Sequence, residues 1–138
     1  MEEDKNKKKY TVVVVDDDKF LLNMYSMKFT KEGVGVTAFQ SSEEALEKFR
    51  QGLHPDAILL DVVMPGMDGI ELLKKLREEK LITENSAIVV LSNQGAQSDI
   101  DKAKVFKIDG YIVKATTIPS EVLREVSRIV EEKKANNL

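Results

Sequence analysis

Five short apolar, largely β-branched runs alternate along this 138-residue chain with five stretches of helical periodicity. No other feature restricts the fold as much. The runs are Tyr10 to Val15, Val34 to Phe39, Ala57 to Asp61, Ala87 to Leu91 and Tyr111 to Lys114. Strands that alternate with helices predict a parallel sheet covered on both faces, joined by right-handed crossovers. The expected class is therefore α/β, a doubly wound five-stranded parallel sheet with five helices. The length suits one domain around one core. That domain is expected over 10–134, between a charged N-terminal tail (1–9) and a ragged end (135–138).

The helices are expected over Lys19 to Lys31, from Ser42 to the stop at Gly52, Gly69 to Lys80, Gln97 to Lys107 and Pro119 to Lys134. In the first, Phe20, Met24 and Met27 fall at i, i+4 and i+7 and predict the inward stripe, with Leu21 and Tyr25 beside it. Ser41 and Glu44 form a capping box for the second, which carries Ala45, Leu46 and Phe49 inward. The third buries Ile70, Leu72, Leu73 and Leu76. The fourth has a thin stripe of Ile100, Ala103 and Phe106, with Ser98 as its N-cap, and Asp109-Gly110 ends it. The fifth buries Val122, Val126, Ile129 and Val130.

Composition narrows the chemistry. The chain has no Cys, so it has neither a disulfide framework nor a thiolate metal site. Its one His, His54, sits beside Pro55 in an expected loop and cannot build an imidazole site alone. Any metal must be held by oxygen, which favours Mg²⁺, Mn²⁺ or Ca²⁺. The net charge of −3 gives no reason to expect direct nucleic-acid binding. No apolar run reaches membrane-spanning length and no signal-peptide pattern opens the chain, which predicts a cytoplasmic protein.

The strand ends hold the informative residues. The first run ends on Asp16-Asp17-Asp18, the third on Asp61, the fourth on Ser92-Asn93 and the fifth on Lys114. In a parallel sheet these ends open on one edge, where open α/β folds bind ligands. After Asp61 a Pro65-Gly66 turn breaks the strand and Asp68 is placed to cap the next helix. Carboxylates gathered at one edge repel without a counter-charge. Mg²⁺ supplies one, typically through one or two carboxylates plus water and phosphate oxygens. Lys114 offers a point charge for a phosphoryl oxygen, Ser92 a hydroxyl, and a carboxylate is itself a competent nucleophile. These parts suit phosphoryl transfer.

Val15-Asp16-Asp17-Asp18, Asp61-Val62-Val63-Met64-Pro65-Gly66-Met67-Asp68-Gly69, Leu91-Ser92 and Tyr111-Ile112-Val113-Lys114, in that order and spacing, resemble the receiver domain of bacterial two-component response regulators. The chain looks chemotaxis-regulator-like, and the resemblance runs from about Tyr10 to Lys133. It implies a flavodoxin-like fold and a phospho-accepting switch. Asp61 resembles the residue that takes a phosphoryl group from a histidine kinase or phosphotransfer protein. Asp16 and Asp17 resemble the acidic pair that, with Asp61 and the backbone carbonyl of Val63, holds Mg²⁺, the nearer contact being expected from Asp17. Lys114 would neutralise the phosphoryl group, Ser92 would hydrogen-bond it, and Tyr111 would swing inward when Ser92 moves. The surface of the fourth helix, fifth strand and fifth helix would then alter its binding to a protein output partner or output domain. Such a switch is not an enzyme beyond its self-catalysed phosphorylation and slow self-dephosphorylation.

The chain departs from the family pattern in places. Ala115 stands where the family usually has Pro after the lysine, joined by a cis bond. A cis bond before a non-proline residue costs about 2.5–4 kcal/mol, so both a strained cis bond and a trans bond with a different lysine approach are open. Ser92 replaces the commoner Thr. Val63 offers no side-chain help to an attacking water, whereas Gln94 is placed to orient one. A competing reading is a haloacid-dehalogenase-type Mg²⁺-dependent phosphatase, with Asp16 and Asp18 as nucleophile and acid, Ser92-Asn93 as second motif and Lys114 as its lysine. It leaves Asp61 without a purpose.

Overall fold

The computed structural model describes residues 8–93 and 97–136. Its strands are β1 (Thr11–Val15), β2 (Gly35–Phe39), β3 (Ala57–Asp61), β4 (Ala87–Ser92) and β5 (Gly110–Val113). Its helices are α1 (Lys19–Lys31), α2 (Ser42–Arg50), α3 (Gly69–Glu78), α4 (Gln97–Lys104) and α5 (Pro119–Asn136). A single 3₁₀ turn, Lys114–Thr116, joins β5 to α5. The strands form one parallel sheet in the order β2-β1-β3-β4-β5.

Alternation within each strand divides the core into layers. Val12, Val14, Leu59, Val89 and Leu91 point to the face covered by α1 and α5, where Leu22, Tyr25, Phe29, Val122, Val126, Ile129 and Val130 pack. Val13, Val15, Ile58, Leu60 and Ile88 point to the other face, where Ala45, Leu46 and Phe49 of α2 meet Leu72, Leu73 and Leu76 of α3. A small third cluster of Val62, Val90 and Ala103 lies under α4. The central strands β3 and β4 are buried at every residue, as a sheet covered on both faces requires.

The structure corrects the inward face of α1. Phe20 is 71% exposed, Met27 72% and Met24 36%. The buried residues are Leu22, Tyr25 and Phe29, with Leu21 partly buried against them. The two stripes are out of phase by two positions, about 200° of helical rotation. Both faces of α1 carry apolar side chains, so periodicity alone did not choose between them. Tyr25 and Phe29 pack into the layer that β1 and α5 line, and the fit to that layer settles the choice.

Smaller corrections fall around α4 and β5. α4 ends at Lys104, so Phe106 lies beyond it, partly buried against the α2–α3 layer. Ser98 sits inside the first turn of α4 instead of capping it. Gly110 opens β5 and Lys114 lies one residue past its end. Gly110 belongs in the strand because the main chain passes close to α5: a Cβ there would lie 2.5 Å from Ile129 Cδ1. Ile70 is only partly buried. α3 stops at Glu78, and α5 runs two residues past the expected Lys134.

Candidate phosphoryl-transfer site

Parallel register assembles the site. Val15 is level with Leu60 across β1 and β3, so Asp16 follows one strand where Asp61 ends the other. Asp61 is level with Leu91, and Ser92 with Val113. The C-terminal edge thus collects Asp16, Asp17, Asp61, Ser92 and Lys114 from four strands, as their places in the sequence predicted.

The surroundings of each group differ. Asp16 is fully buried, and its Oδ1 accepts the Asp18 N–H at 2.9 Å. Asp61 is 3% exposed and Asp17 is exposed. One carboxylate oxygen from each of Asp16, Asp17 and Asp61 lies within 4.8 Å of the other two. Lys114 reaches between the buried pair, with Nζ 2.6 Å from Asp16 Oδ2 and 3.1 Å from Asp61 Oδ2. Two buried carboxylates side by side are unfavourable unless a cation separates them, and the lysine is that cation here.

Burial pushes the Asp61 carboxyl up to about 6, and the neighbouring Asp16 charge adds to the rise while Lys114 opposes it. Burial acts against the Lys114 ammonium, but its bonds and attraction to Asp16 and Asp61 outweigh that and hold it above the usual lysine range. Asp61 is thus a carboxylate whose charge is costly to bury, and any further cation or electrophile relieves that cost. The acidic set fits an oxygen-loving divalent cation on donor chemistry and spacing alike.

Ser92 is buried at the end of β4. Tyr111 packs against the Val62, Val90 and Ala103 cluster. Its hydroxyl is buried with no hydrogen-bond partner among the described residues. Val63 lies on the turn after Asp61, 68% exposed. No cis peptide bond occurs among the described residues, so Lys114–Ala115 is trans and the lysine still reaches both acids. Gln94 lies outside the described residues. Asp18 caps α1, its Oδ1 accepting the Leu21 N–H at 3.2 Å.

Two supports of the site escaped the sequence reading. The start of α3 presses so closely on β3 that a Cβ on Gly69 would lie 2.0 Å from the Asp61 carbonyl oxygen. Gly69 N–H in turn donates to Val62 O at 2.9 Å. Only a residue without a Cβ permits that approach. The Asp68-Gly69 pair signalled a helix start but gave no sign of this packing. The second support is Glu43 of α2, which accepts the Met67 N–H at 2.8 Å. Nothing in its local sequence marked it.

A family model for the response regulator receiver domain matches residues 12–126. The chain belongs to the receiver family. This receiver is 32% identical over 119 residues to the chemotaxis protein CheY of Thermotoga maritima, which covers 86% of the chain and 95% of that protein. It is also 32% identical over 117 residues to the heme response regulator HssR of Staphylococcus epidermidis, covering 85% of the chain but 48% of HssR. The receiver spans about half the length of HssR and of other curated regulators that it matches. Among solved structures, the receiver domain of the Francisella response regulator 1452 superposes with a TM-score of 0.77 at 28% identity, covering 89% of this chain and 98% of that one. The receiver is thus a signalling module of two-component systems, with the flavodoxin-like arrangement expected of it. None of its described helices is long and apolar enough to cross a membrane.

Proposed function

We propose that Asp61 is the phospho-acceptor of this receiver, and that phosphorylation moves Ser92 and Tyr111 to change a protein-binding surface. The observation that carries the reading is the placement of Lys114 Nζ between buried Asp16 and Asp61, next to a third carboxylate at one edge of the sheet. An Asp61 carboxylate oxygen attacks the phosphorus of a phosphohistidine on a histidine kinase or phosphotransfer protein. The new O–P bond gives an aspartyl phosphate as the P–N bond breaks and the imidazole leaves. Asp16, Asp17, Asp61 and the Val63 carbonyl would hold Mg²⁺, which supplies charge neutralisation for the phosphoryl oxygens. Lys114 exchanges part of its ion pairing with Asp61 for a phosphoryl oxygen. The Ser92 hydroxyl donates to another.

Movement of Ser92 alters the space beside Tyr111, whose hydroxyl has no partner among the described residues, which makes its present position easy to leave. The α4–β5–α5 surface, which bears that ring, is the face offered to a protein output partner or output domain. The receiver works in the cytoplasm without direct contact to nucleic acid or membrane. It turns over no substrate beyond its own phosphorylation and slow dephosphorylation. The slow loss follows from the apolar Val63 side chain, which cannot hold an attacking water.

Intact mass after incubation with Mg²⁺ and acetyl phosphate tests the reading. One added phosphate is expected, dependent on Mg²⁺ and lost in Asp61→Asn. Labelling that survives in Asp61→Asn but is lost in Asp16→Asn would refute it. Rapid decay of the added phosphate would refute the slow hydrolysis alone.

A further inference from the structure

The turn that carries the Asp61 strand into α3 is tied to the rest of the molecule in an uneven way. Its two ends are fixed by main chain: Val62 N–H donates to Leu91 O at 3.1 Å, and Gly69 N–H closes onto Val62 O at 2.9 Å. Between them, Met64 drops its side chain into the α2–α3 layer. The stretch from Val63 to Met67, whose Met67 side chain also packs half-buried against that layer, makes one hydrogen bond to another element among the described residues, from Met67 N–H to Glu43 Oε1 at 2.8 Å. That bond holds the Glu43 carboxyl below the usual range.

The contact is shaped on both sides. Gly66 has φ +74°, a conformation that favours glycine, and a Cβ there would meet Glu43 Oε1 at 2.7 Å. The carboxylate therefore lies directly over the turn. Its own helix is held in place: Ser41 Oγ caps α2 by accepting the Glu44 N–H at 3.2 Å. At the far end of α2, Arg50 forms a two-pronged pair with Glu79, with Nε and Nη2 at 2.9 and 2.8 Å. With Ala45, Leu46 and Phe49 buried in the core, α2 presents Glu43 to the turn from a fixed frame.

We infer that Glu43 is a positioning residue: by holding Met67 N–H it fixes the Val63–Met67 turn, and so sets the aim of the Val63 carbonyl and of the Asp61 carboxylate for Mg²⁺. The inference rests on the reading of Asp61 and Val63 as metal ligands. Outer partners of metal ligands commonly carry about ten- to a hundredfold in metal affinity. Glu43 is exposed and acts through a turn, so about three- to tenfold is expected here, below that range.

The test compares wild type, Glu43→Ala and Glu43→Gln in the 138-residue chain. It measures Met67 amide exchange without metal, Mg²⁺ affinity by calorimetry, and the thermal midpoint. Glu43→Ala is expected to speed Met67 exchange and weaken Mg²⁺ about three- to tenfold with the midpoint little changed. Glu43→Gln keeps a carbonyl acceptor and is expected to restore most of both. Unchanged Met67 exchange in Glu43→Ala would overturn the inference, as would unchanged Mg²⁺ affinity. Equal loss of affinity in both variants would also overturn it, since Glu43 would then act as a remote charge. If wild type bound no Mg²⁺ while Met67 still depended on Glu43, the metal reading itself would fall, and the role given to the tether with it.

Discussion

α3 and α4 cover the same face of the sheet and are held there very differently. α3 buries Leu72, Leu73 and Leu76 almost completely, and Asp68 caps it through the Glu71 N–H at 2.8 Å. Glu43 of α2 accepts from Met67 in the turn before it, and Arg50 of α2 pairs with Glu79 just past its end. Of the α4 side chains described, only Ala103 is fully buried. Beyond α4, the exposed Val105 leads into a segment whose Phe106 and Lys107 carbonyls accept bonds from Arg77 of α3, each at 3.3 Å. At roughly 25 cal/mol per Å² of apolar burial, three leucines commit α3 far more strongly than one alanine commits α4. The site straddles that boundary. Its carboxylates come from strands locked under α1, α2 and α3, whereas Tyr111 abuts the thinly held α4. A switch needs this asymmetry: a fixed acceptor, and beside it an element whose displacement costs little.

Truncations give the largest expected contrast. Leu73→Ala should cost about 2–5 kcal/mol in denaturant unfolding. Ala103→Gly should cost about 1 kcal/mol, mostly helix propensity. Comparable losses at the two positions would break the distinction between the helices.

The boundary should next show itself in pH. With the Asp61 carboxyl pushed up to about 6, the folded chain holds that proton more tightly than the unfolded chain does. The associated stability is present below the ordinary carboxylate range and is lost as pH rises through about 6. Metal-free protein should therefore become less stable over that interval. If Asp61 holds Mg²⁺ as proposed, the ion displaces the same proton, and its apparent affinity should fall toward about tenfold per pH unit below 6. Calorimetric Mg²⁺ titrations at pH 5, 6 and 7.5 measure this; a pH-independent affinity would mean that Asp61 does not bind the metal.

Hydrogen exchange sharpens the comparison in the native state. Amides of α4 should exchange through local openings of lower free energy than those of α3. Equal protection would mean that α4 is held as firmly as α3. The smallest effect belongs to the surface: Arg50→Ala breaks an exposed pair and should barely shift the unfolding midpoint. A large loss there would mean that α2 is anchored through this pair instead of through Ala45, Leu46 and Phe49.

Element order, the parallel sheet and the meeting of Asp16, Asp17, Asp61, Ser92 and Lys114 were legible in the chain's local pattern. Those follow from local periodicity and from the fact that parallel strands end on one edge. Tertiary structure decided which stripe of α1 faces inward, because Phe20-Met24-Met27 and Leu22-Tyr25-Phe29 are both apolar and only the shape of the facing layer distinguishes them. It also decided where α4 stops and that Lys114 acts from a turn beyond β5. The trans Lys114–Ala115 bond, the close approach of Gly69 to the Asp61 carbonyl and the reach of Glu43 to Met67 depend on distances between elements far apart in the chain. A one-dimensional pattern carries no measure of those distances.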